Sequence, residues 1–202
     1  MKWMLDLFAG LGGASEAFMT HPNWQVVRVD NNPILSGVEN MQMRDVLNWM
    51  DWLPGLVEEM GGPPALFWAS PECKYFSVAY NAPRAIAQRA GEDYEPNMAQ
   101  VEAVEDIIDY LKPRWWVVEN VSGACTYFPP YFGNVSQKIG GVHLWGVFPH
   151  LDMEKSFKHS KFQNDVSANN PLRYNIRSLI PFEISEALLH AIQMQTSLAD
   201  WM

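Results

Sequence analysis

Two side chains of this 202-residue chain have the chemistry of a covalent catalyst and follow predicted strands. Cys73 comes just after the apolar run 65–68, and Glu119 comes just after the run 115–118. In a doubly wound sheet, ligands bind outside the carboxyl ends of the strands, so these two side chains are candidates for one pocket. A lone cysteine is more often a small buried hydrophobe than a nucleophile, but its position after a strand favours the nucleophile. Cys125 has no such position and is interpreted as a packing residue.

A glycine-rich turn (residues 10–13) lies between the first predicted strand and a predicted helix over residues 14–19. Glycines let the backbone approach a ligand closely, and a helix N-terminus favours an electron-rich group. The dinucleotide fingerprint needs a third glycine where this chain has Ser15, which disfavours a nicotinamide cofactor. Asp30 ends the next predicted strand, where a carboxylate can accept both ribose hydroxyls of an adenosine-containing cofactor. Asp45 follows another predicted strand end; alone, each feature is equally typical of a tight turn or a solvated loop acid.

The elements that must position these residues alternate along the chain. Short apolar runs separated by segments of helical spacing predict βαβ units and an α/β fold with a mostly parallel central sheet. The clearest helix follows Asn97 and ends before Pro113, and a second begins at Pro181 and runs to about residue 198. The stretches 74–96 and 151–173 lack this periodicity and are predicted to be long irregular loops. The predicted strands are 3–8, 25–29, 65–68, 115–118 and 142–148.

The composition excludes several classes of protein. Hydrophobic residues make up 48% and charged residues 18%, which excludes a disordered chain and a coiled coil. The length predicts one domain over residues 1–202. A net charge of −9 excludes a globally basic nucleic-acid-binding protein, so any such contact must use a local patch. No run is long enough to span a membrane, the two cysteines have no zinc or disulfide spacing, and no secretion signal is predicted, so we expect a cytoplasmic location.

Three separated signatures resemble those of the DNA (cytosine-5-)methyltransferase family in order and in approximate spacing. They are residues 6–13, residues 70–77 around Cys73, and residues 119–121 beginning with Glu119. The resemblance covers residues 1–150 well and the C-terminal quarter weakly, as in a compact, phage-type member. It implies a Rossmann-like fold that uses S-adenosyl-L-methionine and releases S-adenosyl-L-homocysteine.

The resemblance implies a cofactor site at the ends of the first strands. By this resemblance Phe8 packs on the adenine, Asp30 holds the ribose and Asp45 meets the adenine amino group. The backbone of the glycine-rich turn lines the methionine end, and Pro71 borders the cofactor. The implied cofactor-binding residues are Asp6, Phe8, Ala9, Gly10, Gly12, Gly13, Asp30, Asn31, Asp45 and Pro71.

The resemblance also implies covalent catalysis on a cytosine of DNA. Cys73 adds to carbon 6 while Glu119 in its acid form protonates ring nitrogen 3, which makes carbon 5 nucleophilic enough to take a methyl group. Because duplex DNA hides the base, the cytosine must be flipped out, with the loop 74–96 closing over it. The implied nucleic-acid contacts are Ser77, Arg84, Arg89, Asn120 and Lys138.

Two positions around the implied pocket depart from the family pattern. Glu72 stands where the family usually has proline, and its charge should disfavour a neighbouring thiolate unless it points away or Lys74 offsets it. Arginines that steady the flipped base are expected at positions 139 and 141, where this chain has isoleucine and glycine. Lys138 and His143 are the candidate substitutes.

The target-recognition region of the family shrinks here to residues 149–173, followed by a closing helical region over residues 174–202. Single specific modules already bury roughly 600–1,000 Å², so we expect weak, salt-dependent DNA binding and a short target unless a second subunit or partner supplies recognition. The same chemistry on RNA or a free cytosine nucleotide stays open, as does a non-catalytic, cofactor-binding regulatory protein. The predicted phosphate contacts near the reduced region are Lys155, Lys158, Lys161, Arg173 and Arg177.

Overall fold

A seven-stranded sheet with helices on both faces organises the chain, and the computed structural model describes residues 1–154, 157 and 166–199. The strands are β1 (Lys2–Leu7), β2 (Trp24–Asp30), β3 (Met41–Met43), β4 (Leu66–Ala69), β5 (Trp115–Asn120), β6 (Gln137–Ile139) and β7 (Val142–Val147). The helices are α1 (Glu16–Met19), α2 (Leu53–Glu59), α3 (Pro83–Ala90), α4 (Ala99–Leu111), α5 (Pro129–Phe132), α6 (Arg173–Arg177) and α7 (Phe182–Ala199).

The strand order is β3-β2-β1-β4-β5-β7-β6. Strands β1 to β5 pair with one another in parallel, whereas β7 is antiparallel to both β5 and β6. The order of the parallel part is that of a Rossmann-like doubly wound sheet, whose winding reverses between β1 and β4. The predicted α/β class with a mostly parallel central sheet is confirmed.

Both faces of the sheet are buried, as expected for parallel strands flanked by helices. Alternate residues of β1 show this: Trp3, Leu5 and Leu7 belong to the core beneath α4, and Met4 belongs to the core beneath α7. The five predicted strands are all present, with ends that differ by one or two residues. The sequence indicated a strand end before Asp45 without giving the bounds of β3, and it did not predict β6, because three residues are too few to show an alternation of apolar and polar side chains.

The two predicted long helices are confirmed. Helix α4 buries Val104 and Ile107 and ends before Pro113, and α7 buries Ile184 and Leu188 against the opposite face of the sheet. The Ser185 hydroxyl joins α7 to α1: it donates to the Ala14 carbonyl at 2.7 Å and accepts from the Ala17 amide at 3.1 Å. The C-terminal helix is thereby fixed behind the glycine-rich turn.

One local prediction was wrong, and another was confirmed only in part. The stretch 74–96 was predicted to be irregular, but it contains α3, which begins at Pro83 and ends at Gly91 in the left-handed conformation. Proline at the first helical position and glycine after the last one are signals of a helix, and Pro83 and Gly91 supply both. The predicted helix over 14–19 begins as a 3-10 turn (Gly13–Ser15) and continues as the single turn α1.

The described residues of the reduced recognition region contain no helix or strand before Arg173, where α6 begins. Lys155, Lys158 and Lys161, predicted as phosphate contacts, lie outside the described residues. Across the ranges that the structure describes, no helix has both the length and the apolar character needed to cross a membrane.

Candidate active site

The candidate site lies where the sheet reverses its winding. Strands β1 and β4 pair with Leu7 opposite Ala69, and β4 pairs with β5 with Ala69 opposite Val118. The glycine-rich turn follows β1, and the residues 70–77 that contain Cys73 (the Cys73 segment) follow β4. Glu119, predicted to follow its strand, is the last but one residue of β5, so all three lie at the same edge of adjacent strands. This carboxyl edge, at the switch point, is where doubly wound sheets bind ligands.

The glycine-rich turn leaves β1 through left-handed backbone conformations. Phe8 has φ of 55°, Gly10 of 56° and Gly12 of 84°. A non-glycine residue in this region stores about 1–3 kcal/mol of strain, which persists only where the surroundings enforce it. The Ala9 amide donates to the Val29 carbonyl at 3.1 Å, and the Gly12 amide donates to the Ala9 carbonyl at 2.8 Å. These bonds close a turn in which Phe8, Ala9 and Gly10 stay half-buried.

Asp30 connects the end of β2 to this turn. Its Oδ2 accepts the Gly10 amide at 3.0 Å, and its Oδ1 accepts the Asn32 amide at 2.9 Å. A carboxylate has about four acceptor positions, so each oxygen keeps one for a further donor. Asp45 lies two residues beyond β3, where its Oδ1 accepts the Leu47 amide at 3.0 Å.

A buried polar cluster lies beneath the turn. The Ser15 hydroxyl donates to Asp6 Oδ2 at 2.6 Å and accepts from Arg28 Nε at 2.9 Å. Burial raises the pKa of Asp6 to about 7, although the hydrogen bond from Ser15 and the charge of Arg28 lower it; the charge of Asp30 raises it further. Asp6 was predicted to bind the cofactor; its side chain is 1% exposed and contacts Ser15. Sequence reasoning missed Arg28, although a cation inside an apolar strand was a visible signal.

Cys73 is half-buried and opens a 3-10 turn (Cys73–Tyr75). Its carbonyl accepts the Phe76 amide at 3.1 Å and the Ser77 amide at 3.0 Å, which fixes the backbone after the thiol. The Ser77 hydroxyl accepts the Ala79 amide at 3.1 Å and so extends this turn.

The departure at Glu72 is accommodated in two ways. Its φ of −55° is one that proline adopts, and its amide, which proline would lack, donates to Gln100 Oε1 at 2.8 Å. Its carboxylate pairs with Lys74 Nζ at 2.7 Å. The hydrogen bond and the charge of Glu72 raise the pKa of Lys74. Lys74 therefore offsets the charge of Glu72 beside Cys73.

Asn120 joins β5 to the segment that carries the thiol. Its Nδ2 donates to the Pro71 carbonyl at 2.8 Å, and its Oδ1 accepts the Val121 amide at 2.9 Å. Asn120 was predicted to contact nucleic acid; its side chain is 0% exposed, and both its polar atoms are engaged inside the protein. Its neighbour Glu119 is half-buried and points to the opposite face, since side chains alternate along a strand.

The basic residues among the predicted nucleic-acid contacts separate into two groups. Arg84 is half-buried: its Nη1 donates to the Gly123 carbonyl at 3.2 Å, and its guanidinium lies 5.3 Å from the centre of the Tyr127 ring. Arg89 is exposed and stacks on Tyr80 at 4.0 Å. Lys138 is exposed on β6. Arg84 thus fixes α3 to the segment after β5, whereas Arg89 and Lys138 face solvent.

Positions 139 and 141, where the family resemblance implies arginines, lie in the β6–β7 hairpin. Ile139 is buried in the core, and Gly140-Gly141 forms the two-residue connection between the strands. His143 is buried, and its pKa is lowered chiefly by desolvation and also by the charge of Lys138, against a hydrogen bond to the backbone of Gly141. His143 is therefore a neutral imidazole near neutral pH.

Several solved structures are similar to this chain, whereas no family model and no curated protein matches it. One is a methyltransferase of Entamoeba histolytica, 17% identical over 61% of this chain and 39% of that chain, with a TM-score of 0.42. Another is described as a DNA modification methyltransferase encoded within a prophage (E. coli), 18% identical over 64% of this chain and 34% of that chain, with a TM-score of 0.43. The aligned part is therefore less than half the length of either protein.

Proposed function

We propose that this protein is an S-adenosylmethionine-dependent cytosine C5 methyltransferase that acts on DNA through a covalent adduct of Cys73. The observation that carries the proposal is the hydrogen bond from Asn120 to the Pro71 carbonyl. This bond ties the strand that bears Glu119 to the segment that bears Cys73, next to a glycine-rich turn of nucleotide-binding type.

The residues at the first three strand ends fit an adenosine-containing methyl donor. Asp30 has one acceptor position left on each oxygen, which suits the two hydroxyls of a ribose. Ile34 and Leu47 follow the two acidic strand ends and remain 43% and 49% exposed, so an adenine ring has apolar side chains to cover. When bound, S-adenosylmethionine supplies a methyl group on an electron-poor sulfur.

Carbon 5 of cytosine is a poor nucleophile, and the chain's own residues activate it. The Cys73 thiolate forms a bond to carbon 6 while Glu119 gives a proton to nitrogen 3, so the electron pair of the ring double bond becomes available at carbon 5. Carbon 5 takes the methyl group as the carbon–sulfur bond of the donor breaks. Transfer of the proton on carbon 5 to water then expels Cys73 as a thiolate, and the return of the nitrogen 3 proton to Glu119 restores the neutral aromatic ring.

Two observations also favour a smaller or different cytosine substrate. The net charge is −9, and the described part of residues 149–172 forms no regular element that would extend over a duplex. The same chemistry on RNA or on a free cytosine nucleotide is therefore the second candidate. A non-catalytic protein that binds the methyl donor is the third, because the hairpin lacks the two expected arginines.

A methyl-transfer assay with labelled donor separates these candidates. Duplex DNA, transfer RNA and deoxycytidine monophosphate are offered at equal cytosine concentration and low salt. We expect label on carbon 5 of cytosine in DNA, with a rate that falls steeply as salt increases. Label on RNA or the nucleotide alone overturns the DNA substrate, and donor binding with no label on any substrate overturns catalysis.

A further inference from the structure

Arg28 is a buried cation in the middle of β2, directly beneath the glycine-rich turn. Its side chain is 2% exposed, and its Nη2 donates to the Gly12 carbonyl and to Glu16 Oε2 at 2.9 and 2.8 Å. Its Nε donates to Ser15 Oγ at 2.9 Å and its Nη1 to the Glu39 carbonyl at 3.2 Å. A buried guanidinium is stable only when its donors are paired in this way, so the surrounding backbone is arranged around it.

The glycines of the turn face different surroundings. A Cβ atom at Gly12 would lie 2.3 Å from Cζ of Arg28, so the missing side chain makes room for the guanidinium. A Cβ atom at Gly10 would meet nothing closer than Asn175 Nδ2 at 3.8 Å. The absence of a side chain at Gly12 therefore gives space to the Arg28 guanidinium, and the absence of one at Gly10 leaves the other side of the turn open.

The cluster also connects two neighbouring strands. Ser15 accepts from Arg28 of β2 and donates to Asp6 of β1, and the other carboxylate oxygen of Asp6 has no hydrogen-bond partner within the described residues. The turn is thus held from below by side chains of both strands that flank it.

We propose that Arg28 is a positioning residue for the nucleotide ligand. By holding the Gly12 carbonyl and Ser15 from below, it fixes the glycine-rich turn in the shape that faces the ligand. The part of this inference that concerns the methyl donor rests on the proposed function. The part that concerns the order of the turn does not.

The test compares Arg28→Lys with the matched exchange Arg114→Lys, since Arg114 is exposed and lies over Trp115 away from the turn. Lysine keeps the charge, but its single ammonium group cannot reach all of the acceptors that the guanidinium fork holds. In Arg28→Lys we expect amide hydrogen exchange in residues 9–15 to be about tenfold faster and binding of S-adenosylmethionine about tenfold weaker. Exchange in α4 should stay as in the wild type. In Arg114→Lys, all of these should be unchanged.

Kinetics distinguish positioning from a general loss of folding. We expect Arg28→Lys to raise KM for the methyl donor and to keep most of kcat at saturating donor, whereas partial unfolding lowers kcat. Wild-type exchange in residues 9–15 of a folded Arg28→Lys variant overturns the inference, whatever the binding result. A wild-type protein that binds no donor overturns the proposed function, and the exchange data still decide the role of Arg28. If Arg28→Lys does not fold, Ser15→Ala removes the hydroxyl that accepts from Arg28 Nε and donates to Asp6, and unchanged exchange in residues 9–15 of that variant overturns the inference equally.

Discussion

The glycine-rich turn and the Cys73 segment lie side by side at the carboxyl edge of the sheet, but different forces hold them. Beneath the turn, Arg28, Ser15 and Asp6 form a buried network. Around the thiol, the ion pair between Lys74 and Glu72 has side chains that are 52% and 44% exposed. The turn is held by charges inside the core, and the Cys73 segment by contacts that water largely screens.

The difference fits the two tasks that the proposed function assigns to these regions. A nucleotide ligand needs a fixed backbone, and a buried cation with four hydrogen bonds supplies one. A segment that carries a nucleophile and receives a flipped base must open and close again. Such segments belong to the less stable parts of a fold. One contact of the Cys73 segment is buried. It is the hydrogen bond from Asn120 to the Pro71 carbonyl, near the start of the segment. We therefore expect the glycine-rich turn to be rigid and the Cys73 segment to move about Pro71.

The largest expected effect separates the two regions by function. Cys73→Ser should abolish methyl transfer, because a serine hydroxyl is a far weaker nucleophile than a thiolate, while donor affinity stays as in the wild type. Steady-state turnover and titration calorimetry measure the two quantities. Turnover at the wild-type rate would remove Cys73 from the mechanism, and a lost donor affinity would show that the two regions are not separate.

The next effect lies on the turn side. Asp30→Ala should weaken donor binding about 10- to 100-fold, because charge-assisted hydrogen bonds to a ribose and to the Gly10 amide are lost. Asp109→Ala on the exposed face of α4 is the control and should bind normally. Calorimetric titration of both variants makes the comparison. Equal affinity of the two variants for the methyl donor would show that Asp30 does not bind the ribose.

A pH dependence should come from the network beneath the turn. The pKa of Asp6 is about 7 in the folded protein against an ordinary value of 3.8, so between these pH values the folded state binds a proton that the unfolded chain has released. This contribution to stability is therefore full below pH 4 and is lost as pH rises through 7. Asp6→Asn cannot ionise, so its Tm relative to wild type should rise between pH 4 and 7 and then level off. Calorimetry at a series of pH values measures this, with Asp109→Asn as control; a flat difference for Asp6→Asn would contradict it.

The smallest effect concerns the thiol side. Lys74→Met leaves the Glu72 carboxylate without its ion-pair partner beside Cys73, so alkylation of Cys73 at neutral pH should slow by about two- to fivefold. Peptide mapping after iodoacetamide treatment separates Cys73 from Cys125. Removing both charges, with Glu72→Gln added, should restore the rate. A Lys74→Met rate equal to or above the wild-type rate would show that this pair does not affect the thiol.

The sequence predicted the parallel sheet and both long helices because their periodic patterns extend over many residues. It also indicated Asp30 and Cys73 as candidate site residues, since polar residues at or just after the ends of apolar strands can be recognised without a structure. Pairing between distant residues was not visible. Asn120 was assigned to nucleic acid because nothing in its neighbours shows that Pro71, 49 residues away, accepts its side-chain hydrogen bond.

Arg28 was missed for a related reason. An arginine between valines gives no sign of the four acceptors that surround it, because they come from the turn, α1 and the stretch before β3. The glycine-rich pattern predicts space for a ligand at Gly12, whereas in the structure this glycine makes room for Arg28. Sequence spacing thus indicated that the candidate residues lie at one edge of the sheet, and it left their internal partners open.

The most direct test of the account is mass spectrometry of the protein incubated with S-adenosylmethionine and duplex DNA that carries 5-fluorocytosine. Fluorine at carbon 5 cannot leave as a proton does, so the adduct at carbon 6 should persist. We predict a protein–DNA adduct that maps to Cys73, contains the transferred methyl group and fails to form without the methyl donor or in Cys73→Ser. An adduct at another residue, or turnover of unmodified DNA with no trapped adduct on the fluorinated DNA, would contradict the account.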